Sequence, residues 1–141
     1  MGIEGSYRFV DHTADLGIVV RAGDIKGLFR NAALAVFDII ADSKGPGLEE
    51  KRMISVEGED LEDLMINWLR EILYLWNGEE YLVRDVAVVE LSKEKLRAEV
   101  VVEAYEPKVH AIKTEIKAVT YHQTRVGPAD GGWEAQVIFD T

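Results

Sequence analysis

Two aspartates and a histidine, Asp11, His12 and Asp15, are packed into DHTADLGI at 11–18, between the apolar runs YRFV and LGIVV. A turn there would be dense in oxygen and imidazole donors. A second acidic position stands at the other end of the sequence, where Asp140 and Thr141 follow Val137, Ile138 and Phe139. If the two ends meet they make a small oxygen-rich pocket, in which the α-carboxylate of Thr141 adds to the two aspartates Asp15 and Asp140. Hard divalent cations take this kind of ligand set. The competing reading is structural: aspartates at strand ends commonly hydrogen-bond backbone N–H groups.

Other chemistry is thinly supplied. His12, His110 and His122 are far apart in sequence and match no metal-ligand spacing. The absence of cysteine removes disulfides, thiolate nucleophiles and zinc or iron–sulfur sites that need sulfur. No GxSxG, Walker loop or dinucleotide fingerprint is present, so no residue is marked as a catalytic nucleophile. A net charge of −10 disfavours a large phosphate-binding footprint and suits a cation or a basic protein partner better.

The elements that would position these residues are legible from periodicity. At 141 residues and 48% hydrophobic content, one domain spanning 1–141 with a real core is expected. No apolar run approaches the ~20 residues that cross a bilayer, and no signal peptide is recognisable, so a soluble cytoplasmic protein is expected. Strands are predicted at 7–10 and 16–20, flanking the acidic motif. Ile25, Leu28, Phe29, Ala32, Val36, Phe37 and Ile40 share one helical face, and Asp24 can cap that helix, which runs to about residue 41. DSKGPG at 42–47 reads as a turn. A third strand is predicted at 52–57. A second helix then starts at Asp60, with Leu61, Leu64, Met65, Trp68, Leu69, Ile72, Leu73 and Trp76 as its packed stripe.

The two helix entrances match at Val20, Asp24, Ile25 and Leu28 against Val56, Asp60, Leu61 and Leu64, a likeness short enough to be two uses of one capping logic. From 83 onward the pattern is all strand, at 83–91, 96–105, 115–124 and 133–139, with loops at 92–95, 106–114 and 127–132. In the second of these strands Leu96, Ala98, Val100, Val102 and Ala104 face inward and Arg97, Glu99 and Glu103 outward. In the last, Ile138 and Asp140 lie opposite the apolar face. The sum is an α+β fold in two layers: a mostly antiparallel sheet carrying two amphipathic helices on one face.

YRFVDHTADLGI, KAVTYHQ at 117–123 and the final VIFDT together resemble the archease family, small proteins that assist the RNA ligase joining tRNA halves after intron removal. The likeness covers nearly the whole chain. It implies a divalent-cation site at Asp15, Asp140 and Thr141, with calcium the first candidate and manganese or magnesium the others. It also implies a functional role for Lys117, while Asp11 and His12 belong to the motif without a fixed part in the site. An exposed sheet lysine is the structural alternative for Lys117.

By the same resemblance the protein is a helper and not an enzyme. Its partner would be a tRNA-splicing RNA ligase that guanylylates its own histidine and joins a 2′,3′-cyclic phosphate or 3′-phosphate end to a 5′-hydroxyl. The helper would promote guanylylation and multiple turnover without binding nucleic acid itself. A second reading is an acidic, chaperone-like module for RNA-modifying enzymes such as a tRNA methyltransferase. A third, a metal-dependent hydrolase, has only His12 as a water-activating base.

Overall fold

The computed structural model describes residues 5–10, 15–45 and 47–141, so Asp11 and His12 lie outside the described residues. The chain forms β1 (Tyr7–Val10), β2 (Leu16–Ala22), α1 (Ile25–Ile40), β3 (Ala41–Ser43), β4 (Glu49–Glu57) and α2 (Leu61–Asn77). It continues through β5 (Tyr81–Leu91), β6 (Lys95–Ala104), β7 (His110–Ile112), β8 (Ala118–Ala129) and β9 (Gly132–Asp140). The α+β class, the antiparallel pairing and the two amphipathic helices agree with the sequence reading. The strands divide into a four-stranded sheet, β1-β2-β9-β8, a three-stranded sheet, β4-β6-β5, and the small pair β3-β7.

Both helices begin where a side chain can replace a missing backbone partner. Asp24 Oδ1 accepts from Gly27 N at 2.7 Å, and Asp60 Oδ1 accepts from Asp63 N at 2.8 Å. Glu62 and Asp63 in the first turn of α2 lie at the positive end of its dipole. Each helix touches both larger sheets, α1 against β5 and β2, α2 against β8 and β4. That double contact is why α1 buries Phe29, Ala33 and Phe37 as well as Leu28, Ala32 and Val36. Trp68 is fully buried and donates its indole N–H to the carbonyl of Phe29 at 2.9 Å, which ties α2 to α1 through the core.

The helices also close two sheet edges that would otherwise offer unpaired backbone. Arg30 Nε donates to Val86 O on the outer edge of β5, and Lys26 Nζ reaches Val89 O. On the outer edge of β8, Arg70 Nη2 lies 3.4 Å from Val119 O, while Val126 N donates to Glu62 Oε2 at 3.3 Å.

Several expectations are corrected. Part of the predicted 42–47 turn is strand, because Ala41–Ser43 pairs with His110–Ile112, a strand inside what reads as a loop at 106–114. Three-residue strands have no periodicity to betray them; they form here because the backbone leaving α1 needs partners. The strand expected at 115–124 begins at Ala118 and runs on to Ala129, through the Gly127–Pro128 expected to be loop. Pro128 costs nothing there because β8 is an edge strand. The turn shrinks to Asp130 and Gly131, whose φ values of 22° and 78° give the doubly positive φ of a two-residue hairpin turn.

Two side chains expected to face water are buried: Glu103 at 0% exposure and Ile138 at 1%. Ala104, expected inside, is exposed. His110 Nε2 lies 2.8 Å from Glu103 Oε1, with His110 Nδ1 accepting from Glu106 N, so Nε2 carries the ring proton and donates it to the carboxylate. Arg84 Nη1 is 3.2 Å from Glu103 Oε2, close enough for attraction but outside hydrogen-bond geometry. The β3-β7 pair brings His110 to Glu103, covering what is otherwise the outer face of β6. Ile138 is covered differently. It packs with Val10 over Gly17, where an added Cβ would lie 2.6 Å from Val10 Cγ2 and 2.9 Å from Ile138 Cδ1.

Candidate functional site

The order of strands in the four-stranded sheet brings the two ends of the chain together. β9 is flanked by β2 on one side and β8 on the other. Leu16 pairs with Phe139 as the last rung of that ladder, so Asp15, the residue before it, lies at the same end of the sheet as Asp140. On the other side Ala118 pairs with Asp140, and Lys117 N donates to the carbonyl of Asp140 at 2.8 Å. Asp15, Asp140, Thr141 and Lys117 thus gather at one end of one sheet. Asp15 is half-buried; the other three are exposed.

Lys117 is anchored on both sides. The residue before it, Ile116, is fully buried, and its carbonyl accepts from Asn77 Nδ2 at 2.9 Å. Asn77 is the last residue of α2, and no basic residue occupies the final turn of that helix. The C-terminus of α2 is thus tied to the backbone that leads into Lys117. α1 ends nearby as well, with Ile40 O accepting from Lys113 N and Thr114 N.

Two carboxylates brought to ~4 Å of each other would repel by about 1 kcal/mol in water. A cation between them removes that repulsion and gains their charge. Among the described residues no group of three or more His, Cys, Asp or Glu side chains is arranged to hold a metal ion. A cation at this end would draw on the two aspartates and on main-chain oxygens of Thr141, an all-oxygen set of the kind calcium, magnesium and manganese accept.

Comparison with known proteins places the whole of this region inside one family. Residues 7–141 match the model of the archease protein family (MTH1598/TM1083). The chain belongs to the archease family. It is 37% identical over 138 residues to the archease of Methanosarcina mazei, covering 95% of this chain and 94% of that one. Against the archease of Methanopyrus kandleri it is 40% identical over 134 residues, covering 93% and 96%. The solution structure of Methanobacterium thermoautotrophicum protein 1598 superposes with a TM-score of 0.73 at 29% identity, covering 96% of this chain and 99% of that one.

The KAVTYHQ stretch that marked the archease resemblance does more in three dimensions than supply Lys117. The β8–β9 register breaks between Thr120 and Arg125, and Gln123 takes φ 51°. Thr120 Oγ1 donates to Ile138 O at 3.1 Å and accepts from His122 N at 3.2 Å, which holds the bulge in shape. Strand alternation counted from Lys117 therefore stops at Thr120, and His122 sits exposed on the bulge.

Tyr121, also on the bulge, donates its hydroxyl to Asp63 Oδ1 at 2.7 Å, and the Arg70 guanidinium carbon lies 4.8 Å from its ring centroid. Sequence reasoning missed this trio. Its only trace is that Asp63 and Arg70 are two turns apart on one side of α2.

Proposed function

We propose that this protein is a non-catalytic activator of a tRNA-splicing RNA ligase, promoting guanylylation and multiple turnover of that enzyme. Membership of the archease family supports the coarser part, a helper role toward RNA-processing enzymes. The single observation that supports the finer part is that Asp15, just before β2, and Lys117, just before β8, lie at the end of the sheet where Asp140 closes β9. In this reading Asp15, Asp140 and Thr141 hold one divalent cation, calcium first, with manganese or magnesium in its place. When bound, that cation supplies a positive charge that orders the strand ends. Lys117 stands one backbone hydrogen bond away, where it can meet a phosphate or carboxylate of the enzyme.

The test is covalent guanylylation of the ligase, with and without this protein, in calcium, manganese and magnesium. Wild-type protein should accelerate it, and Asp15→Ala and Asp140→Ala should each lose on the order of tenfold of the stimulation. Full stimulation by both variants removes the site from function. A second reading, an acidic chaperone-like module for an enzyme such as a tRNA methyltransferase, draws on the net charge of −10. It predicts that both variants protect such an enzyme from aggregation as well as wild type does.

A further inference from the structure

Residues 113–117, which lead into β8, belong to no strand. Their backbone is nonetheless held at both ends. Lys113 N and Thr114 N donate to Ile40 O at 2.7 and 3.3 Å, where α1 ends, and Lys117 N donates to Asp140 O at 2.8 Å. Between these points the side chain of Asn77, the last residue of α2, donates from Nδ2 to Ile116 O at 2.9 Å.

That carbonyl and the Lys117 N–H belong to one peptide group. A peptide is planar, so the two bonds clamp a single rigid unit from its two ends. With the Asn77 bond lost, the unit can pivot about the line joining its Cα atoms, which changes the direction in which the Lys117 side chain leaves the backbone. The buried side chain of Ile116 fixes a position but not that angle. The two bonds also lie in series through the peptide, so each polarises the other.

The helix itself does not need this bond. The end of α2 is closed by Gly78 N on Tyr74 O at 2.8 Å and by Glu80 N on Trp76 O at 3.0 Å. Asn77 is exposed, so core packing does not call for it either. The bond instead completes a series in which α2 lies along β8: Glu62 meets Val126, Asp63 meets Tyr121, Arg70 meets Val119 and Asn77 meets Ile116. The last member of that series reaches past the strand to the peptide that carries Lys117.

We propose that Asn77 is a positioning residue for Lys117, clamping the Ile116–Lys117 peptide so that the lysine is presented to the enzyme partner from a fixed backbone. The part played by Lys117 rests on the function proposed above.

Two measurements test this. In isotopically labelled protein, Asn77→Ala should speed amide hydrogen exchange at Lys117 about fivefold, while Leu69 in α2 and Val137 in β9 keep their wild-type rates. Alanine is the better helix former, so the thermal midpoint should not fall. In the guanylylation assay, Asn77→Ala should lose about fivefold of the stimulation and Lys117→Ala on the order of tenfold. The double variant should fall no further than Lys117→Ala, because Asn77 acts through that lysine.

An unchanged Lys117 exchange rate in Asn77→Ala overturns the inference, as does exchange that quickens equally at all three amides, which would mark a general loosening. A double variant lower than Lys117→Ala by a further fivefold also overturns it, since the two residues would then act independently. If Lys117→Ala loses stimulation and Asn77→Ala does not, the inference fails alone. Full stimulation by Lys117→Ala removes the lysine from the proposed function and the inference with it.

Discussion

Tyr121 and Asp63 change each other's titration through one hydrogen bond. The Tyr121 hydroxyl holds the Asp63 carboxyl below its usual range, aided by the bond from Glu59 N, and the same carboxylate pushes the Tyr121 phenol up. For Asp63 the depressed value means that its contribution is present above the unfolded carboxylate pKa and fades as pH falls through the folded one. For Tyr121 the raised value means that its contribution is present below pH 10.0 and fades as pH rises through the folded value. Both groups are solvent-exposed, so the stability at stake is small. The titration itself is the better readout. Asp63→Asn should move Tyr121 ionisation toward lower pH in a tyrosinate absorbance titration, and an unchanged midpoint would show that the bond does not form in solution. Neither residue could be paired from sequence, since 58 positions separate them.

At the scale of elements, the turn from β4 into α2 depends on one close approach. A Cβ at Gly58 would sit 2.5 Å from Leu64 N and 2.7 Å from Leu64 Cα, so backbone would have to move. Gly58 N is itself bonded to Glu94 O at 2.9 Å, which limits the room for adjustment. Gly58→Ala should therefore cost about 1–3 kcal/mol in denaturant unfolding. By contrast, Gly45 has open space around it, and Gly45→Ala serves as the control with little change expected. Both helices and their aspartate caps were legible because a 3.6-residue stripe and a cap are local signals. β3 and β7 were not legible. A three-residue strand exists only because another segment of chain lies beside it.

Across the whole molecule, the four-stranded sheet joins the two ends of the chain, and a cation at that junction would couple binding to global stability. If Asp15 and Asp140 hold calcium or manganese, saturating cation should raise the thermal midpoint by roughly 5–10 °C. Asp15→Ala and Asp140→Ala should abolish that rise, and an Arg70→Glu protein should keep it. A rise that survives both aspartate variants would place the cation elsewhere. The same scale accounts for the core. α2 is bonded to α1 through Trp68 and packs on sheets on two sides, so neither layer can open without exposing the other.

By itself the amino-acid sequence determined which residues form the helices, where those helices begin and which residues could bind a cation. Each of these follows from side-chain type and near-neighbour spacing. It also carried the family, through motifs at 7–18, 117–123 and 137–141. Tertiary structure alone decided that β9 lies between β2 and β8, and so that Asp15, Asp140 and Lys117 share one end of a sheet. It also decided that Glu103 is buried against His110 and that Tyr121 meets Asp63 and Arg70. The physical reason is the same in each case. Strand order and the covering of a sheet face depend on contacts between segments distant in the chain, and alternation along one strand records only that it has two faces, not what comes to lie on each.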